Sequence, residues 1–187
     1  MLPWGHLALG YLWYAVWGRL GSGSLPAGTG AIAVALGSQA PDLDKVLAWW
    51  FGVIPNGRSL AHSVLTAAVV LVIVRRYAVA CGRNHQGSVF ALGSLSHLLG
   101  DALYPLLSGN LSALGFLAWP VVPAIEYDHT GGFLAFFTSL DFGVTFWAEL
   151  GLFVVAFAVW SVDGRPGLGL CRKLVSRWLD AARTIPR

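Results

Sequence analysis

Apolar residues occupy long stretches of this chain, at about 4–18, 27–40, 60–74, 88–107 and 142–160, with shorter ones near 43–54 and 111–125. Stretches of this kind predict bilayer-spanning helices, each needing about 20 mostly apolar residues. The expected fold is all-α, a polytopic integral membrane bundle of about five spans. The 27–40 stretch is short and ends at Pro41, so it is expected to tilt or to finish inside a protein-lined pocket. Pro120 and Pro123 interrupt the 111–125 stretch, which is expected to be re-entrant or interfacial. The pattern divides the chain into a membrane-embedded domain, 1–163, and a basic amphipathic tail, 164–187.

Composition agrees with a lipid environment. Of 187 residues 56% are hydrophobic and 11% charged, against roughly a quarter charged in soluble domains, and the mean hydropathy is +0.66. The net charge of +3 does not point to nucleic acid, because the basic residues sit in loops and the tail and not along an aromatic-lined groove. They bear on orientation instead. Under five spans, Arg19, Arg75, Arg76, Arg83, Arg165, Arg172, Lys173, Arg177, Arg183 and Arg187 fall on one side and Lys45 and Arg58 on the other. Lys and Arg are enriched in cytoplasmic loops, so the N-terminus is expected outside and the C-terminus inside. Residues 1–5 carry no basic side chain, so the first apolar stretch reads as retained and not as a signal peptide. Cys81 and Cys171 form no CxxC pair and match no zinc-ligand spacing. In the tail, Cys171, Leu174, Val175, Trp178, Leu179 and Ala182 recur at helical spacing, with Arg172, Lys173, Arg177 and Arg183 on other faces. Such a helix lies in the headgroup region or packs against the ends of the bundle.

Ionisable residues in or beside membrane spans are costly, so each raises a functional question. Ser94, His97 and Asp101 share one face of the 88–107 helix, and His97 and Asp101 are placed to ligate one ion; the alternative is a His–Asp pair that fixes helix packing. At the start of the 60–74 stretch, Ser59, His62, Ser63 and Thr66 form a polar stripe at i, i+3, i+4 and i+7, preceded by Arg58. Pro41-Asp42-Leu43-Asp44 places two carboxylates at a chain break, suited to a divalent metal or to capping the next helix. His6 opens the first span, and Glu126-Tyr127-Asp128-His129 follows the Pro-broken segment; both groups are ligands or interfacial decoration. Under the orientation above, His6, Asp42, Asp44, His62, Asp101 and the 126–129 group converge on the outer side, with His97 about one turn deeper. Mixed imidazole and carboxylate donors suit Zn²⁺, with Mn²⁺ or Fe²⁺ as alternatives.

Taken in order, His6-Leu7 before Gly10, Pro41-Asp42-Leu43-Asp44, Arg58 to His62-Ser63, and Ser96-His97 to Asp101 resemble the YdjM-like family of membrane-bound metal-dependent hydrolases, in wording closest to its archaeal members. The resemblance covers about the first 105 residues. Where the family pattern has a His before the Arg, this chain has Gly57, so one ligand of the family set is missing. The resemblance implies hydrolysis at a metal site, and a distant likeness to zinc-dependent phospholipase C makes a phosphoester, such as a lipid headgroup, the leading substrate class.

The resulting expectation is a membrane-bound metal-dependent hydrolase at the outer face. His6, Asp42, Asp44, His62, His97 and Asp101 hold one or two ions, with Arg58, His62 and Asp101 at the catalytic centre, and Arg58 grips a phosphate oxygen or pairs with Asp44. Membrane lipids are the expected partners, with a lipid phosphoester as substrate. One alternative is a non-catalytic membrane protein with a structural metal site or a helix-packing His/Asp cluster. Another is an ion or proton transporter, although no inverted repeat is evident and the polar residues gather at one face.

Overall fold

A computed structural model of the chain describes residues 1–54, 56–123, 138 and 140–183. Among these residues there are seven α-helices and no strand: α1 (Pro3–Trp17), α2 (Gly28–Gln39), α3 (Leu43–Trp49), α4 (Val64–Ala80), α5 (Asn84–Leu107), α6 (Val144–Val162) and α7 (Leu168–Arg183). A 3-10 turn, Ala40–Asp42, joins α2 to α3, and a 3-10 helix, Leu111–Ala118, follows α5. Every apolar stretch of the sequence is represented, though boundaries shift for local reasons. Pro3 sits in the first turn of α1, where its missing N–H costs no helical bond. Pro41 enters the turn that ends α2. The α4 helix starts at Val64, four residues later than the apolar stretch, because the Ser63 side chain caps the amides of Leu65 and Thr66. Ser59 and His62 therefore lie in the turn before the helix, and the expected helical stripe from Ser59 to Thr66 does not form.

The main helices run up and down. Leu2 and Tyr104 both bond Glu149, which brings the start of α1, the end of α5 and the start of α6 together. At the opposite end, Tyr14 near the end of α1 meets Ala27 before α2 and His85 at the start of α5, and Asp163 after α6 meets Tyr11 and Arg19. Two glycines allow α2 and α5 to touch backbone to backbone: a Cβ at Gly37 would fall 2.2 Å from the Phe90 carbonyl oxygen, and one at Gly93 would fall 2.5 Å from that of Val34. The consequence is positional. The starts of α1 and α4 and the ends of α2 and α5 meet at one end of the bundle.

The bundle is apolar outside and polar inside. Val69, Val72 and Ile73 on α4 and Trp147, Val154 and Phe157 on α6 are exposed, whereas His6, Asp44, His62, His97, Asp101 and Glu149 are buried. An exterior of this kind is far larger than the apolar patches of a water-soluble monomer. Among the described residues, α6 is the one helix both long and apolar enough to cross a bilayer. With 15 and 12 residues, α1 and α2 measure about 23 and 18 Å, short of the roughly 30 Å hydrocarbon core.

Candidate metal centre

Five of the six residues expected to bind metal meet at that end. His97 and Asp101 project from α5, His6 from the first turns of α1, Asp42 from the turn after α2, and His62 from the turn before α4. The His6 and His97 rings stack 3.6 Å apart and 12° from parallel, and His62 stands edge-on to His97. Donor atoms fall into two groups that share His97: His6, His97 and Asp101, and Asp42, His62 and His97, each with its atoms within 4.8 Å of one another.

Each shared imidazole is oriented from behind. The Ser38 carbonyl lies 2.6 Å from His97 Nδ1, and the Asp44 carboxylate lies 3.1 Å from His62 Nδ1. Both oxygens can only accept, so in the neutral form of each ring Nδ1 carries the proton and Nε2 presents a lone pair. The two Nε2 atoms face each other at 3.2 Å, where their lone pairs repel unless a cation lies between them. Asp42 Oδ1 is 3.7 Å from His62 Nε2 and 3.5 Å from His97 Nε2. Asp101 Oδ2 is 3.3 and 3.8 Å from the same two atoms. Ligands about 2.0–2.1 Å from one tetrahedral zinc stand roughly 3.3–3.4 Å apart; these five distances lie near that spacing, while the two carboxylates belong to separate donor groups. His6 Nδ1 is buried without a hydrogen-bond partner, Lys45 meets Asp42 Oδ1, and His6 Nε2 and Asp101 Oδ2 have only contacts of 3.3 Å or more within the cluster. Buried donor atoms so weakly paired are costly in an apolar interior, and a divalent cation would satisfy them.

Asp44 is placed differently from the other five. Its carboxylate accepts from the backbone amides of Ser59, Ala61 and His62 as well as from the His62 ring. It braces the 59–62 turn and aims His62, with no lone pair turned to the shared centre. Neither Asp caps α3 with its side chain. Arg58 pairs with Asp101 at 3.0 Å, not with Asp44. Gly57 leaves no gap either, because a Cβ there would fall 2.9 Å from Lys45 Cγ, and Lys45 Nζ reaches Asp42 Oδ1 at 2.6 Å. The Met1 ammonium also contacts Asp101.

The centre opens to the surface along its cationic side. Side-chain exposure is 23% for Arg58, 15% for Lys45 and 14% for Asp42, against 0% for His6, His62, His97 and Asp101. Phe116, on the 3-10 helix after α5, is buried edge-on to His62, with the Arg58 guanidinium 5.9 Å from its ring. Two of the clustered groups lie in turns between helices. Burial works to raise the Asp42 carboxyl, but the Lys45 ammonium and His97 outweigh it and hold Asp42 below the ordinary carboxylate range. Burial works to lower the His62 imidazole, but Asp101 and Asp44 outweigh it and hold His62 above its ordinary value.

Ser94 shares the α5 face but bonds the Gly37 and Phe90 carbonyls, so it serves packing against α2. Glu126, Tyr127, Asp128 and His129 lie outside the described residues. Sequence reasoning missed Glu149, the buried carboxylate on α6 that joins Leu2 to Tyr104. It is the lone ionisable residue in the 142–160 stretch, which is itself a signal.

The class so defined is a helical bundle with an apolar exterior and a buried His/Asp centre at one end. The chain belongs to the YdjM inner membrane protein family, whose family model matches residues 1–165, from the first helix to just beyond α6. No curated protein and no solved structure matches it.

Proposed function

We propose that the protein is a membrane-bound metal-dependent hydrolase acting on a lipid phosphoester at the outer membrane face. The observation that carries this reading is the pair of imidazole Nε2 atoms at 3.2 Å, flanked by buried carboxylate oxygens of Asp42 and Asp101 at 3.3–3.8 Å. Asp42, His62 and His97 would hold a divalent ion, zinc first by donor type, with His6 and Asp101 beside His97 available to a second. When bound, such an ion supplies Lewis acidity and an acidified water. The chain's own residues do the rest. Arg58 stands between Asp101 and solvent, where its planar fork suits a phosphate oxygen. Lys45 adds a second cation at the mouth. Leu43, Trp50 and Phe51, in and just after the helix that carries Lys45, are exposed, which favours a phosphate carried on an apolar tail over a water-soluble ester.

The same reading takes α1, α2, α4, α5 and α6 as five spans, with the N-terminus and the centre outside and the C-terminus in the cytoplasm. The exposed apolar faces of α4 and α6 support it, as do the arginines gathered at the end opposite the centre.

Metal analysis of the purified protein, coupled to a phosphate-release assay on lipid phosphoesters, tests the proposal. Wild type should retain one or two divalent ions per chain, while His97→Ala and Asp101→Ala lose metal and activity together. Arg58→Lys should keep the metal but lose turnover, toward the roughly 10²–10³-fold cost of a missing charge-stabilising donor. Activity that persists in metal-free protein refutes the mechanism. Bound metal with no hydrolysed ester transfers the assignment to a structural site.

A further inference from the structure

The last helix, α7, leaves the bundle almost at once. Its first turn abuts the start of α2, where a Cβ on Gly28 would lie 3.1 Å from the Gly167 amide and 3.6 Å from Leu170 Cδ1. Beyond it Leu174, Val175, Trp178 and Leu179 are all exposed, so packing against the bundle does not account for them. At about 100° per residue the helix splits into two uninterrupted faces, with an apolar arc about 180° wide. Leu168, Leu170, Cys171, Leu174, Val175, Trp178, Leu179 and Ala181 fill one face; Arg172, Lys173, Ser176, Arg177, Asp180 and Arg183 fill the other. The two borders are both arginine: Arg172 lies next to Leu179 on the wheel, and Arg177 next to Leu170. An aliphatic stem along the apolar face with its guanidinium lifted beside it is the snorkelling arrangement of a helix in a headgroup layer.

A second feature continues this surface. An apolar groove of about 600 Å³ runs between α1, α2 and α6 and ends on Gly167, Leu168 and Cys171, so that Leu36, Phe157 and Trp160 line up with the apolar face of α7. We infer that α7 is a docking element for anionic lipid, lying in the leaflet at the basic end of the bundle with its apolar face continuous with the groove. Charge selects the lipid class. Four cations and a single acid, Asp180, occupy the polar face, and each cation near a negatively charged surface strengthens attachment roughly fivefold. The inference does not depend on the hydrolase reading.

The test uses the full chain in phosphatidylcholine vesicles with and without phosphatidylglycerol. In a Cys81→Ser, Cys171→Ser background, single cysteines replace Leu174 or Trp178 on one face and Ser176 or Asp180 on the other, each carrying a spin label. With phosphatidylglycerol present, labels at 174 and 178 should be accessible to oxygen and shielded from a water-soluble nickel chelate, and labels at 176 and 180 the reverse. Changing Arg172, Lys173 and Arg177 to Glu should abolish that contrast, and because these side chains are exposed the fold should survive, as an unchanged circular-dichroism spectrum and melting curve would verify. Equal contrast in neutral vesicles overturns the anionic preference. Water-accessible labels on both faces overturn docking, and spin–spin broadening between chains assigns the apolar face to a second copy instead.

Discussion

Asp44 is the same residue type as Asp42 and Asp101 but braces the 59–62 turn where they face the clustered imidazoles, and substitution should separate them. Asp44→Asn leaves every donor of the centre in place but weakens the brace on His62 Nδ1, so metal affinity should fall about 10–100-fold, the usual cost of a lost outer partner. His62→Ala removes a donor outright and should lose the ion. Titration against a chromophoric chelator distinguishes the two, and equal affinity in Asp44→Asn and wild type would remove Asp44 from the centre's support. Proton competition follows from the same residues. His62 must be neutral to bind metal, and Asp101 with Asp44 holds its pKa above the usual imidazole value, so protons compete from above about 6.5. Metal affinity should decline as pH is lowered through that range and recover on raising it; a flat profile between pH 8 and 6 would contradict His62 as a ligand. The His97–Asp101 spacing was legible because a helix turns i and i+4 to one side. Asp44's role was not, since it depends on the 59–62 turn folding back over its carboxylate.

At the scale of elements, the centre depends on how closely α2 and α5 approach. The Ser38 carbonyl reaches His97 at 2.6 Å only because Gly37 and Gly93 let the two backbones meet. Gly93→Ala would place a methyl group 2.5 Å from the Val34 carbonyl and 2.8 Å from the Ser38 amide. Backbone cannot yield as a side-chain tip does, so the helices must part, at a cost of about 1–3 kcal/mol for overpacking. A lowered Tm together with weaker metal binding is the expected result; a lowered Tm with wild-type affinity would show that the α2–α5 contact does not set the His97 ring. The helices themselves were readable from apolar runs, within a few residues. Their mutual approach was not, because a glycine in an apolar run carries no mark of which backbone it faces. Glu149 shows the opposite case, a lone carboxylate whose composition flags it but whose partners, Leu2 and Tyr104, are remote in sequence.

For the whole molecule, the order of elements makes orientation a single choice. The starts of α1, α4 and α6 and the ends of α2 and α5 share the end that holds the His/Asp centre, while at the other end Arg75 and Arg76 lie in the last turns of α4 and Arg19, Arg83 and Arg165 flank α1, α5 and α6. The shortness of the 27–40 stretch was legible in the sequence, and the count of five spans requires segments of 15 and 12 residues to cross where the bilayer thins or neighbouring helices shelter their ends. The positive-inside tendency is the ground for the proposed orientation, with the arginine-rich end in the cytoplasm and the centre outside. Membrane-impermeant thiol labelling of intact cells checks this with residues already placed at the two ends. Asn110 lies in the turn after α5, at the centre's end, and Cys81 is an exposed free thiol in the turn between α4 and α5, at the arginine-rich end. In a Cys81→Ser, Cys171→Ser background, Asn110→Cys should be labelled from outside. In a Cys171→Ser background, Cys81 should be labelled only after the membrane is permeabilised. The opposite pattern would turn the molecule over and move the centre, with any substrate it acts on, to the cytoplasmic face. Labelling of both sites in intact cells would place both ends of the bundle on one side, which no crossing by α5 permits.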